Sequence, residues 1–167
     1  MKTNATLLGL AIGDALGRPI EFCTKDYLAG WAKNWDGKFI EITDPGVPPG
    51  TKGLYSDDTK MAICIAKSLI DNNGFVLDDV ARRYVEWVKS GDLRGIGGRT
   101  ASSIANLISG VSPKESGKKN VAKARPSFRR VSQEQVKNGS EDLDLTSIGD
   151  FIGNGTVMRA SPIGVFF

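Results

Sequence analysis

An all-α helical bundle is the fold class this sequence predicts, and three observations predict it. Apolar residues recur at helical spacing in several separate segments, and alternating strand patterns are almost absent. The chain has 167 residues with 40% hydrophobic and 25% charged content, which reads as one soluble, globular domain with room for a sizeable core.

The first expected helix covers residues 5–16, ATLLGLAIGDAL. Leu8, Ile12 and Ala15 share one face, Ala11 and Leu16 lie beside it, and Gly17 and Pro19 stop it. Its small residues, Gly9, Ala11, Gly13 and Ala15, predict close approach to another element. Residues 23–55 are expected to be irregular, punctuated by Pro45, Pro48, Pro49 and several glycines, with Trp31, Trp35 and Phe39 packing the region onto the core. A second helix is expected over 57–71, capped by Ser56, with Ala62, Ile65, Ala66 and Leu69 on its apolar face and Met61 at the edge. A third follows near 79–89, capped by Asp78 and ended by Gly91, with Val80, Ala81, Tyr84, Val85 and Val88 at helical spacing. After the loop DLRGIGGR, Thr100 is placed to cap a short helix through Ile108. From Ser112 the periodicity fades, and residues 112–147 read as a polar, mobile loop region, with a short helix around 132–137 as the other option. GNG at 153–155 then reads as a turn opening a last helix, TVMRASPIGVFF.

Composition narrows the chemistry. The formal charge of +3 is too small to dictate a partner. Its excess lies between Ser112 and Gly139, where eight Lys or Arg residues face only Glu115 and Glu134. Arg125, Arg129 and Arg130 with Lys118, Lys119 and Lys123 would be the phosphate contacts of a nucleic-acid site, but Phe128 is the one aromatic there, so a solvated loop is the better reading and no nucleic-acid partner is expected. The sequence has no histidine, which excludes Ser-His-Asp and Cys-His nucleophile schemes, histidine bases and imidazole zinc sites. Chemistry here must run on carboxylates, hydroxyls, backbone amides or a hard metal. No apolar run approaches the roughly 20 residues that span a membrane. Asp14 follows the N-terminal apolar stretch closely and the cleavage pattern is poor, so no signal peptide is expected. Cys23 and Cys64, two isolated thiols, fit a reducing, cytoplasmic compartment.

The stretch SDDTKM at 56–61 has two readings. In one, Ser56 caps a helix and Asp57 and Asp58 complement its dipole. In the other, Ser56, Asp57 and Asp58 offer hydroxyl and carboxylate oxygens to a magnesium ion. Three ligands from one turn cannot close the shell, so such a metal site needs carboxylates from a distant segment. RGIGGRT and GNGT each present backbone N–H groups at a helix start, which suits a phosphorylated ligand beside a divalent ion.

GLAIGDALGRPIEF at 9–22, SDDTKM at 56–61, RGIGGRT at 94–100 and GNGTVMRASPIGVFF at 153–167, in this order, resemble the motifs of the ADP-ribosylglycohydrolase family. The resemblance covers essentially the whole chain but only the N-terminal part of a typical member. It implies an all-α bundle with a pair of divalent ions, magnesium or manganese, in a cleft. It also implies hydrolysis of the bond between ADP-ribose and an arginine or serine side chain, or a related conjugate. Carried over by motif, Ser56, Asp57 and Asp58 resemble metal ligands, with serine where the family usually has threonine. Glu21 resembles the catalytic carboxylate near the bound ribose, and Gly95, Ile96, Gly97, Gly153, Asn154 and Gly155 resemble segments lining the ADP-ribose pocket. Arg159 is read as bracing its helix rather than touching substrate.

The chain departs from the family in one respect. Members complete the metal site with a C-terminal Asp-x-Asp-Thr/Ser type motif, and no counterpart follows GNG here; EDLDLT at 141–146 precedes it, in the wrong order. With the apolar ending SPIGVFF, this predicts that residues 1–167 are the N-terminal portion of a single domain. Half a bundle should expose its core face, so self-association or a complementing C-terminal polypeptide is expected. The expected alternative to an active hydrolase is an inactive or split-enzyme fragment that retains at most ADP-ribose binding.

Overall fold

A computed structural model of the chain describes residues 2–42, 47–118 and 154–167. Among the described residues every regular element is helical, with one isolated antiparallel bridge between Glu41 and Lys52, so the all-α expectation holds. The helices are α1 (Lys2–Gly17), α2 (Lys25–Asn34), α3 (Asp57–Asn72), α4 (Leu77–Lys89), α5 (Gly98–Ile108) and α6 (Ser161–Phe166); a short 3-10 turn, Arg18–Ile20, follows α1.

α3 is the central element: α1, α4 and α6 all pack on it, α5 packs on α4, and α6 also touches α1. Its central place follows from its sequence, because Met61, Ala62, Ile65 and Leu69 bury a continuous stripe. Met61 lies in the core itself, only 1% exposed, rather than at the edge. α4 answers with Val80, Ala81, Tyr84, Trp87 and Val88, and α5 adds Ile104. Cys64, Val85, Leu93, Ile96, Ile108 and Met158 pack around this cluster half-buried. Both cysteines are free. The turn between α3 and α4 is set by Asn73, in the left-handed region at φ 48°, and by Asp79, which accepts from Arg83 Nε (2.7 Å) and Asn72 Nδ2 (3.0 Å). The guanidinium groups of Arg83 and Arg82 hold the Asp79 carboxyl well below its usual range.

Helix starts depart most from expectation. α4 has Val76 at its N-cap position, with Asp78 and Asp79 inside the first turn, where the dipole favours them without capping. α5 begins at Gly98 rather than at Thr100. The final segment makes turns through 155–159 and becomes helical only at Ser161, beside Pro162, whose fixed φ suits a first turn. The region expected to be irregular contains α2, started by Thr24, whose hydroxyl accepts from Tyr27 N (3.3 Å), with Asp26 in the first turn and Lys33 in the last. None of its residues is buried, although Leu28, Trp31 and, just past its end, Trp35 recur at helical spacing. Trp31 and Trp35 do not join the core cluster. They stack on each other, ring centroids 5.1 Å apart, and with Asn34, Asp36 and Ile40 line a cavity of about 170 Å³.

α1 is apolar on most sides, yet Leu8 is 61% and Ile12 41% exposed, and Cβ atoms added at Gly9 or Gly13 would meet nothing within 4 Å. Of the small residues expected to mediate close approach, Gly9 and Gly13 do not do so, whereas Ala15 is buried on α1, which packs on α3 and α6. Ile163, Phe166 and Phe167 of the last segment are exposed as well. No helix of the described residues is long and apolar enough to cross a membrane. The region 112–147 falls mostly outside the described residues, as does the option of a helix at 132–137.

Candidate functional site

The acidic turn sits where α3 begins, and its organiser comes from another helix. Ser56 occupies the N-cap position of α3, but its side chain does not cap. The capping acceptor is Asp14 of α1. Asp14 Oδ2 accepts from Ser56 N (2.8 Å), Thr59 N (3.1 Å) and Thr59 Oγ1 (2.6 Å), and Oδ1 accepts from Ser56 Oγ (2.7 Å). Thr59 N is the third helical N–H, the donor that an N-cap side chain ordinarily satisfies. Reading motifs one at a time missed Asp14, although a lone carboxylate inside an otherwise apolar helix was a signal that a buried donor cluster awaits it.

The turn that Asp14 organises is largely withdrawn from water. Ser56, Asp57 and Thr59 are each 5% exposed or less, and Asp58 is half-buried. Burial, reinforced by the neighbouring Asp58 and more weakly by Asp14 and Glu21, pushes the Asp57 carboxyl up to about 6. The Asp58 carboxyl is also raised, by burial first and then by Asp14, with the Ser56 hydroxyl and Arg18 opposing. Ser56 Oγ lies 3.3 Å from Asp58 Oδ2, a longer contact than the one to Asp14.

The glycine loop lies directly against this turn. Asp92 ties it down: Asp92 pairs with Lys60 of α3, takes a two-pronged contact from Arg94 (2.7 and 2.8 Å), and accepts from Trp87 Nε1 through its carbonyl (2.8 Å). Gly95 then turns with φ +79°, and an added Cβ would collide with Asp57 Oδ1 and lie 2.7 Å from Ser56 Cβ. Both the positive φ and the contact require glycine. Ile96 packs its side chain on the core cluster, while Gly97 is exposed at the N-cap of α5.

The remaining sequence-predicted residues are distributed around this centre. Glu21 is exposed, ion-paired with Arg18, and near enough to contribute to the raised Asp57 pKa. Gly155 approaches the start of α5, where an added Cβ would lie 3.9 Å from Thr100 Oγ1; Asn154 is exposed and its carbonyl accepts from Met158 N (3.0 Å). Gly153 and the EDLDLT stretch lie outside the described residues. The Arg159 guanidinium sits 5.6 Å from the centroid of the buried Tyr84 ring, a bracing contact.

A hard divalent ion wants oxygen donors, and Ser56, Asp57 and Asp58 offer them in kind. They do not offer them in number. Among the described residues no group of three or more His, Cys, Asp or Glu side chains is placed to hold a metal ion.

Comparisons with known proteins agree with the motifs. The family model described as ADP-ribosylglycohydrolase matches residues 2–167. An ADP-ribosylarginine hydrolase Tri1 of Serratia proteamaculans is 26% identical over 165 residues, covering 99% of this chain and 36% of its own length. An ADP-ribosyl-[dinitrogen reductase] glycohydrolase of Rhodospirillum rubrum is 34% identical over 89 residues, 53% of this chain and 29% of that protein. A solved structure titled ADP-ribosylglycohydrolase-related protein complex superposes with a TM-score of 0.52 at 26% identity, covering 97% of this chain and 41% of that one. The chain thus spans well under half the length of these relatives. Because the family model matches residues 2–167, nearly the whole of this chain, the chain belongs to the ADP-ribosylglycohydrolase family.

Proposed function

We propose that this chain carries the first half of an ADP-ribosylglycohydrolase site and that, unaided, it binds ADP-ribose without turning over an ADP-ribosylated substrate. The carrying observation is the oxygen-rich Ser56–Asp57–Asp58 turn, pressed against Gly95, in a set of described residues where no group of three or more His, Cys, Asp or Glu is placed to hold a metal. The substrate class, a protein bearing ADP-ribose on arginine or a related conjugate, is supported by the names of the relatives. A reducing, cytoplasmic setting suits the two free thiols.

The geometry supports one division of labour. Bond cleavage at the anomeric carbon develops positive charge on the sugar, which fixed carboxylates stabilise. Glu21, exposed and held by Arg18, is the group free to exchange a proton with the leaving side chain or with water. Asp57 and Asp58 are committed to the buried turn. The backbone N–H groups around Gly97 at the start of α5 suit the diphosphate. Magnesium or manganese, when bound, would neutralise the acidic turn and grip ribose hydroxyls or phosphate. Its remaining ligands must come from outside the described residues, from a complementing segment or polypeptide.

The test is release of free ADP-ribose from ADP-ribosylated arginine and serine peptides by the purified chain, with and without magnesium or manganese, alongside calorimetric titration with ADP-ribose. Saturable binding with no product is the expected result. Metal-dependent turnover that Asp57→Asn abolishes would show that the chain is a complete hydrolase. Absence of ADP-ribose binding by a folded preparation would refute the binding half of the proposal.

A further inference from the structure

The family motifs account for Ser56, Asp57, Asp58 and Glu21, yet the side chain with the most directed contacts in this region is Asp14. Both of its carboxylate oxygens are engaged: Oδ1 by the Ser56 hydroxyl, and Oδ2 by two backbone N–H groups and the Thr59 hydroxyl. Three of these donors meet Oδ2 and one meets Oδ1, so most of the acceptor capacity of Asp14 is spent on the turn rather than on a ligand. Its contacts instead determine what Ser56 presents. The Ser56 hydroxyl has one hydrogen, and the 2.7 Å contact to Asp14 claims it over the 3.3 Å contact to Asp58. The lone pairs of Ser56 Oγ are left for an electrophile, and the Ser56 rotamer is fixed. The backbone bonds to Ser56 N and Thr59 N hold the turn that carries Asp57 and Asp58 between them.

We propose that Asp14 is a positioning residue. It orients the Ser56 hydroxyl and the Asp57–Asp58 turn as acceptors for a cation or a cation-bound ligand, and acts through them. This rests on the proposed function for what the turn receives, but the positioning itself is measurable without it. A simple charge role makes a different prediction, because Asp14 would then act through its negative charge alone and any nearby carboxylate would serve.

Asp14→Glu separates the two. It keeps the charge and moves the carboxylate by one methylene, out of register with the four donors. Asp14→Asn keeps the shape and loses the charge and one acceptor oxygen, and serves as the second variant where the glutamate does not fold. Thr59→Val removes one of the four bonds while leaving Ser56 held, and controls for stability alone. Two readouts apply to the purified chain: hydrogen exchange of the Ser56 and Thr59 amides by NMR, and paramagnetic broadening of the 56–58 amides by manganese titrated alone.

The expected result is that Asp14→Glu and Asp14→Asn each speed exchange at Ser56 and Thr59 by about 10-fold or more, the scale of one lost hydrogen bond to a charged acceptor. Both should also raise the manganese concentration for half-broadening by about the same factor, while Thr59→Val leaves that concentration unchanged. Retained protection in Asp14→Glu, or retained manganese response in Asp14→Glu, would overturn the proposal in favour of a charge role. An equal loss of manganese response in Thr59→Val would overturn it in favour of general stability. If manganese broadens nothing even in the native chain, the cation half of this inference is overturned for the unaided chain, and the exchange data still decide whether Asp14 positions the turn.

Discussion

Replacing Asp57 with asparagine should make the protein more stable, and only at a pH where the carboxyl would otherwise ionise. Asp57 is 5% exposed, and burial with the nearby Asp58 raises its carboxyl from an ordinary 3.8 to about 6. Between these values the folded state holds a proton that the unfolded state has released. Stability therefore falls as pH rises through this window, and the full cost is present above the folded pKa. A rise of this size corresponds to about 3 kcal/mol. A carboxylate in the first turn of a helix returns about 0.3–1 kcal/mol through the dipole, leaving a net gain of about 2 kcal/mol for Asp57→Asn at pH 8. For a chain of this length that is roughly 4–8 °C in melting temperature. The assay is urea denaturation of both proteins in EDTA from pH 3.5 to 8. The two curves should coincide near pH 3.5, diverge between pH 4 and 6, and run parallel above. An asparagine variant less stable at pH 8, or a gap independent of pH, would refute the account of Asp57 as an ion held at a cost.

Gly95→Ala should destabilise by at least about 2 kcal/mol, combining a left-handed backbone with a Cβ driven into Asp57 and Ser56; a melting temperature equal to the native value would show that the loop relaxes away. Arg159→Ala should cost about 0.5–2 kcal/mol of stability through the lost Tyr84 contact while leaving ADP-ribose affinity within about twofold, and a large affinity loss at unchanged stability would make Arg159 a ligand contact instead. The buried Tyr84 phenol is pushed up to about 12, mainly by desolvation, so its ionisation favours the unfolded chain between the ordinary value of 10.0 and that point; in ultraviolet titration the last phenol to ionise should vanish in Tyr84→Phe.

The parts of the fold legible in the sequence are those whose energetics are local or periodic. The stripe from Met61 to Leu69 and its partner from Val80 to Val88 follow from burial on one face, and Gly91, at φ +83°, ends α4 as its type predicts. α2 escaped because its apolar face is short and only half-buried at Leu28 and Trp31, and its one strong signal, Thr24, stands among residues that also suit loops. The site was legible as a set of motifs but not as a constellation. Ser56 looked like a cap because hydroxyl residues before acidic turns usually are, and nothing near it in sequence reveals that Asp14 has taken over the capping bonds. Gly95 likewise read as a phosphate-loop residue, and its contact with Asp57 is a product of tertiary packing anchored by Asp92.

Asp14 and Ser56 are 42 positions apart, and that separation fixes an order of events. α3 can coil in roughly a microsecond from local contacts, but its first turn keeps open N–H groups until α1 has docked. The acidic turn is therefore assembled late, after a long-range collision rather than during local coiling. In the reverse direction, a fluctuation that lifts α1 away disarms the turn while leaving the α3–α4 core intact, because Met61, Leu69, Tyr84 and Trp87 do not depend on α1 for their contacts with one another. Readiness of the site is thus a property of one docking step, and whatever comes to cover the exposed Leu8 and Ile12 of α1 would set, through that step, how much of the population is competent at any moment.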